Sequence, residues 1–332
     1  MNRLRGGHPI ANLPGAGDFG GRCLLGECGV DAELLLPSRT YFGLQKAGSY
    51  LFGTWRDAAG NLRRAIRAVF SDSSPVRHMF AAAPGGQLES VEIAEQQMWS
   101  GPISVDRAGT SASFRSVGSG PAQAFAFEHR PDSCSWTDGD LLDVAGPAVG
   151  PGNQWFNTWS GGACLAVTAK YRTSGTFLGV PVEGFVGHEI HYFPPGGNWI
   201  VSPYGRGREF CWQHIANEYD DGTLVQASFA YGADGWGFAM VHDESGTFHS
   251  TTDVTATATV RPNGYPETVN YRFLDQSWTW RIDPQGQRPI LMPGIPIGAD
   301  GTCTRDDDPR IVRYSLGNSD WWTDGRAQPI IR

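Results

Sequence analysis

Residues Val180-Pro-Val-Glu-Gly-Phe-Val-Gly-His-Glu-Ile-His-Tyr-Phe193 decide how this chain folds. A turn signal, Arg172-Thr-Ser-Gly175, precedes them, and another, Pro194-Pro-Gly-Gly197, follows. β-Branched and aromatic residues held between two such turns read as one long strand. A strand with one wet face alternates apolar and polar residues. This one instead sets Glu183, His188, Glu189, His191 and Tyr192 among Val182, Phe185, Val186, Ile190 and Phe193. Ionisable groups on a mainly apolar ribbon suit the wall of a lined cavity.

Residues two apart on a strand share a face. Glu183, Phe185, Glu189, His191 and Phe193 therefore fall on one side, and Val182, Val186, His188, Ile190 and Tyr192 on the other. His188 and His191 are three apart and point to opposite sides, so they do not chelate one ion and no metal is expected here.

Working outward, the same rhythm recurs. Tyr50–Trp55, a turn at Asp57-Ala-Ala-Gly-Asn61 and a second arm to Phe70 read as a hairpin. Leu88–Trp99, Ile103–Asp106, Ser111–Val117 and Ala122–His129 continue the strands. Residues 137–153 are rich in Asp, Gly and Pro and read as a linker. Beyond it come Trp155–Trp159, Ala163–Tyr171, Phe177–Phe193, Trp199–Ser202, Phe210–Tyr219, Leu224–Tyr231, Trp236–His242, Val254–Arg261, Thr268–Leu274 and Ser277–Ile282. One short helix is expected at Asp31–Leu36, and the tail 283–332 is expected to pack across the barrels. Short strands with tight turns and no interposed helices make an all-β protein of antiparallel barrels or half-barrels. The linker places two of them in tandem, 1–145 with an N-terminal strap and 146–332 with the tail.

Composition agrees. The 332 residues include 44 Gly and 22 Pro, which favour turns, and 12 Trp, 17 Phe and 10 Tyr, which supply a large core. The net charge of −8 and the lack of a basic run argue against nucleic acid as a partner. The six Cys form no CxxC pair and read as ordinary thiols. The opening MNRLRGGHPIANLPGAG lacks the apolar run of a signal peptide and nothing later is long enough to span a membrane, so a cytoplasmic location is expected. GxGxxG, P-loop, GxSxG and HExxH motifs are absent, which removes the usual support for dehydrogenase, kinase, serine hydrolase and zinc protease readings.

Three local patterns carry a resemblance: Gly175-Thr-Phe-Leu-Gly-Val-Pro-Val-Glu-Gly184, Trp212-x-His214 ahead of Asp220-Asp-Gly222, and Gly264-Tyr-Pro266 before a strand. Together they resemble the tandem lipocalin-like proteins of the AttH and carotenoid 1,2-hydratase type, a group that includes tocopherol cyclase and lipocalin-like Diels–Alderases. The resemblance covers roughly 150–282 and, more faintly, the hairpins at 50–70 and 110–130. It implies paired antiparallel barrels, a substrate cavity inside one or between them, and hydrophobic terpenoid- or polyketide-like substrates. It transfers no residue roles.

The candidate catalytic residues are His188, Glu189, His191 and His214. Glu189 among Phe and Trp is expected to have a raised pKa and to serve as an acid beside His191. The plainer reading of that pair is a solvated surface contact. His188 and Tyr192 on the apolar face form the alternative set, supported by Trp212 and His214 on a neighbouring strand; the plainer reading there is a satisfied core. Trp155, Trp159, Glu183, Tyr192 and Trp212 are candidate substrate contacts, and Tyr204 and Arg206 join them from the rim loop Tyr204-Gly-Arg-Gly-Arg208. The expected activity is cofactor-independent cyclisation, hydration or isomerisation of a hydrophobic small molecule by proton transfer, with a homodimer compatible with it. The alternatives are a carrier or sensor of the same ligand class and an oligomerising structural module.

Overall fold

Phe193 and Glu209 bracket the point where the chain passes from one antiparallel sheet to another. The computed structural model describes residues 23–70, 72–74, 76–92, 101–117, 125–159, 162–198, 209–232, 236–290 and 297–323. The first sheet runs, edge to edge, through β6 (Leu88–Ser90), β5 (Val76–Ala82), β4 (Leu62–Val69), β3 (Leu44–Asp57), β14 (Val180–Phe193) and β13 (Gly162–Phe177). It continues through β11 (Leu142–Pro147), β10 (Ser133–Asp138), β9 (Phe125–Arg130), β8 (Ser111–Ser116) and β7 (Ile103–Ala108). β12 (Gly152–Trp159) pairs with β13 and carries β1 (Leu24–Cys28) on its other edge, while β2 (Thr40–Tyr41) caps β3. The sheet bends until Ser73, just after β4, bridges Pro102, just before β7.

The second sheet runs β18 (Phe248–Thr251), β17 (Gly237–His242), β16 (Leu224–Gly232), β15 (Glu209–Tyr219), β23 (Val312–Thr323), β22 (Ile297–Arg305), β21 (Gln276–Gln287), β20 (Pro266–Phe273) and β19 (Val254–Val260). It curls far enough to bring β19 back against β16 and β17. Each sheet encloses its own core: Leu51, Phe114, Phe127, Trp136 and Ile190 in the first, and Phe229, Tyr271, Trp278 and Trp280 in the second. The all-β architecture is thus the one the strand rhythm predicts, and the helical turn at Asp31 is a 3-10 helix, Ala32–Leu35, capped by the Asp31 carboxylate. No helix among the described residues is long and apolar enough to cross a membrane.

Four local expectations change. The sequence reading divides the chain at 145/146, whereas β12, β13 and β14 belong to the first sheet and the sheets change only after Phe193. Residues 137–153 are not a linker: their Gly and Asp make a hairpin turn between β10 and β11, with Leu141 N–H donating to Asp138 O at 3.2 Å. Arg172–Gly175 is strand, and the turn before β14 is Leu178-Gly179, both at positive φ (52° and 74°), where glycine is unstrained. The tail contributes β22 and β23, and β23 lies at the centre of its sheet rather than across it.

β14 sits in the middle of the first sheet with a core on each side. Val182, Val186, Ile190 and Tyr192 face the barrel interior. Phe185 and Phe193 face outward, where the two sheets pack together through Phe52, Ala216 and Leu316 at one place and Trp155, Trp212, Trp236, Phe238 and Met240 at another. Polar clamps flank these contacts. Arg64 of β4 donates to Thr54 (2.7 Å) and stands 3.2 Å from Asp300 of β22, and the Leu62 N–H donates to Gln285 at 2.8 Å.

Candidate active site between the two sheets

The outward face of β14 delivers Glu189 and His191 to the seam between the sheets. In register, Glu189 stands between Thr168 of β13 and Tyr50 of β3, and His191 between Ala166 and Gly48. From the opposite side, β15 delivers Trp212 and His214, also two apart and therefore on one face. The Glu189 carboxylate touches both imidazoles: Oε2 lies 3.1 Å from His191 Nε2, and Oε1 lies 3.1 Å from His214 Nε2. The Trp212 indole N–H donates to His214 Nε2 at 2.6 Å. Tyr50 packs on His191 and Phe52 on His214, with ring centroids 5.2 and 5.1 Å apart.

Aromatic side chains wall the site at the β12 end. Trp155 lies 5.1 Å from Trp212 and 5.9 Å from Phe238, and Trp212 lies 5.3 Å from Phe238. The packing is not perfect. Glu189 retains 10% of its side-chain surface accessible and Trp212 6%, where His191, Trp155 and Phe193 retain at most 3%. Asn157 faces the same seam from β12, fully buried, with both its amide oxygen and its amide nitrogen lacking a hydrogen-bond partner. A buried amide in that state is costly unless a ligand or water completes it.

The electrostatics reverse one expectation. Burial alone raises the pKa of Glu189, as the sequence reading has it, but the imidazoles set against it, His191 first and His214 second, outweigh burial and hold the carboxyl well below the usual range. Glu189 is a carboxylate, not a reserve of protons. Tyr50 moves the other way: burial, reinforced by the Glu189 charge, pushes its phenol up, so it is a neutral donor.

The remaining sequence candidates part company. His188 lies on the inner face of β14, fully buried against Phe127 (4.9 Å), Phe114 (6.1 Å) and His129 (6.2 Å), and neither ring nitrogen has a partner. Burial, helped by the nearby positive groups, lowers its pKa well below the ordinary value. His188 is a neutral core residue on the wrong side of the strand to meet Glu189. Tyr192 shares that inner face and donates to Leu34 O. Glu183 sits six residues along β14, about 20 Å from Glu189 at strand rise, half exposed and paired with Arg172 at 2.7 Å. Trp155 and Trp212 do line the seam. The Trp159 side chain, Tyr204 and Arg206 lie outside the described residues.

Sequence reasoning missed Tyr50, Phe52, Asn157 and Lys170. Asn157 was findable, because Asn153, Trp155 and Asn157 are in phase on one strand. Lys170 was findable as the lone cation within the apolar run Ala163–Tyr171.

No family model matches the chain, and no curated protein does. Among solved structures it is similar to a proposed AttH from Nitrosomonas europaea, at 14% identity over 86% of this chain and 95% of that one, with a TM-score of 0.47. It is also similar to kievitone hydratase from Nectria haematococca, at 9% identity over 83% of this chain and 89% of that one, with a TM-score of 0.47.

Proposed function

We propose that this protein is an enzyme that moves protons on a hydrophobic small molecule held in the seam between its two sheets. The reaction class is addition or loss of water at a double bond, or a related cyclisation or isomerisation. The observation that carries this reading is Glu189, buried among aromatic side chains with each carboxylate oxygen 3.1 Å from an imidazole supplied by a different sheet. A carboxylate with two imidazoles in an apolar setting is a recurring marker of functional sites.

In the hydration direction, one imidazole, as imidazolium, gives its proton to a substrate carbon. The other takes a proton from the water whose oxygen forms the new C–O bond. Before and after turnover one ring is charged and one neutral, so the Glu189 charge offsets an imidazolium throughout. Trp155, Trp212 and Tyr50 hold a flat apolar body, and their ring faces favour positive charge developing on carbon. This chemistry draws on side-chain proton transfer alone.

The test is Glu189→Gln, His191→Gln and His214→Gln, each offered unsaturated terpenoid- and polyketide-type compounds. Binding is read from quenching of the seam tryptophans, and turnover from gain or loss of water by mass spectrometry. Turnover is expected to fall by about 10²–10⁴-fold with binding kept. Turnover at the level of the unaltered protein in all three variants removes this site. Tight binding with no turnover by the unaltered protein makes it a carrier.

A further inference from the structure

Lys170 reaches from β13 across the seam into the second sheet and is fully buried there. Its Nζ donates to Ala227 O at 2.9 Å and to Ser228 Oγ at 3.1 Å, both on β16, and among the described residues no carboxylate forms an ion pair with it. On the other side of Ser228 stands His214, with Nδ1 3.5 Å from the hydroxyl oxygen. Asn153 donates to the same oxygen at 3.4 Å.

The second ring nitrogen of His214 is contested. Trp212 N–H approaches Nε2 at 2.6 Å and Glu189 Oε1 approaches it at 3.1 Å. An indole only donates, so it requires a lone pair on Nε2; a carboxylate only accepts, so it requires a proton there. One nitrogen satisfies one neighbour at a time. Oε1 is the one left without an in-line donor in the arrangement seen.

We propose that Lys170, acting through Ser228, selects the tautomer of His214 and thereby sets the pH at which the Glu189 site changes state. The proposal deepens the acid–base reading above, and its catalytic meaning rests on that reading. With Lys170 as an ammonium, Nζ donates to Ser228 Oγ and the hydroxyl proton turns to His214 Nδ1. The imidazole proton then sits on Nε2, facing Glu189. With Lys170 as an amine, the Ser228 hydroxyl donates to the amine lone pair and accepts from Nδ1–H, and Nε2 accepts the indole N–H of Trp212. Between the two states Lys170 exchanges one proton with solvent, and the imidazole proton moves from one ring nitrogen to the other.

The changeover falls at neutral pH. Burial draws the Lys170 pKa down to about 7, against the opposing pull of Glu189. Among the described residues, His214 on β15 and His242 on β17 also face Lys170. His242 is itself 3.2 Å from Glu27 of β1, and burial lowers its pKa. On its own strand Arg172 is already committed to Glu183 and Glu218. Lys170 is therefore a positioning residue, three steps from the carboxylate by way of Ser228 and His214.

The experiment is long-range proton–nitrogen NMR of the histidine rings in the full chain, from about pH 6 to about pH 8.5. The two neutral tautomers and the imidazolium give distinct nitrogen shift pairs. In the unaltered protein His214 is expected to pass from Nε2–H to Nδ1–H with a midpoint near that of Lys170. Lys170→Met, close in shape and uncharged, is expected to hold His214 as Nδ1–H throughout. Ser228→Ala is expected to abolish the transition while leaving Lys170 in place. Near-UV circular dichroism confirms folding of both variants. A transition of unchanged midpoint in Lys170→Met, or a simple passage to imidazolium in both proteins, overturns the proposal. No substrate is used, so failure here leaves the assignment of the Glu189 site standing, and a protein without turnover leaves the tautomer result standing.

Discussion

Glu189 owes its charge to its neighbours, and that debt is measurable. Its folded pKa lies below the ordinary 4.5, so the carboxylate stabilises the fold fully above about pH 5 and loses that contribution as pH falls through its lowered value. Glu189→Gln is expected to cost on the order of 1–3 kcal/mol at neutral pH. The gap in urea midpoint between the two proteins should stay constant down to about pH 5 and close below it. A gap unchanged at pH 3 would show that the carboxyl is not held ionised. The alternation along Val180–Phe193 placed Glu189 and His191 together from sequence alone, but the plainer sequence reading left the pair solvated, whereas both are buried. The protonation state was not legible, because it depends on His214, which arrives from a strand in the other sheet. The same alternation put His188 on the opposite face. The sequence reading accordingly kept His188 and Tyr192 as an alternative set on that face.

At the scale of the strand, Gly187 makes room for chemistry it does not perform. A Cβ there would lie 2.3 Å from the Phe52 ring, which crosses β14 at this point to pack on His214. Gly187→Ala should push that ring toward the imidazole and cost roughly 1–3 kcal/mol in urea unfolding. It should also shift the His214 ring resonances, where a mere loss of stability would leave them in place. Elements of this kind were readable in outline: β14 runs over the residues its β-branched pattern marks, and the Asp57–Asn61 turn joins β3 to β4. Errors came where a turn signal was read at the wrong scale. The Gly and Asp residues of 137–153 make tight hairpin turns, yet their density imitates a linker. Pairing of β15 with β23 carries no local mark at all, since strand partners are chosen by packing across the whole sheet.

For the molecule as a whole, two buried lysines, Lys46 and Lys170, contribute to the slope of stability with pH. Lys46 lies inside the first barrel over the Phe114 ring, donating to Leu35 O at 2.8 Å, and burial lowers its pKa to about 7. The unfolded chain keeps that amine protonated up to about pH 10.5. The cost of burying the charge is therefore fully present below about pH 7 and is relieved as pH rises toward 10. Lys46→Met is expected to raise stability by roughly 2–4 kcal/mol at pH 7 and to give back that advantage by pH 10. Comparing the two proteins matters, because burial raises all six cysteine thiols and so weakens both folds above about pH 9. A flat difference across that range would place the Lys46 amine in contact with water.

The pairing of β15 with β23 also has a consequence in time. Trp212 and His214 ride on a strand flanked on one side by their partners Asp320 and Asn318, translated more than a hundred positions later. At ribosomal speeds of about 5–20 residues per second, the nascent chain exposes this aromatic edge for roughly 5–20 seconds before its neighbour emerges. Until then half of the seam exists as an open, sticky margin. A chaperone that shields tryptophan-rich edges during synthesis would govern how much functional protein a cell obtains.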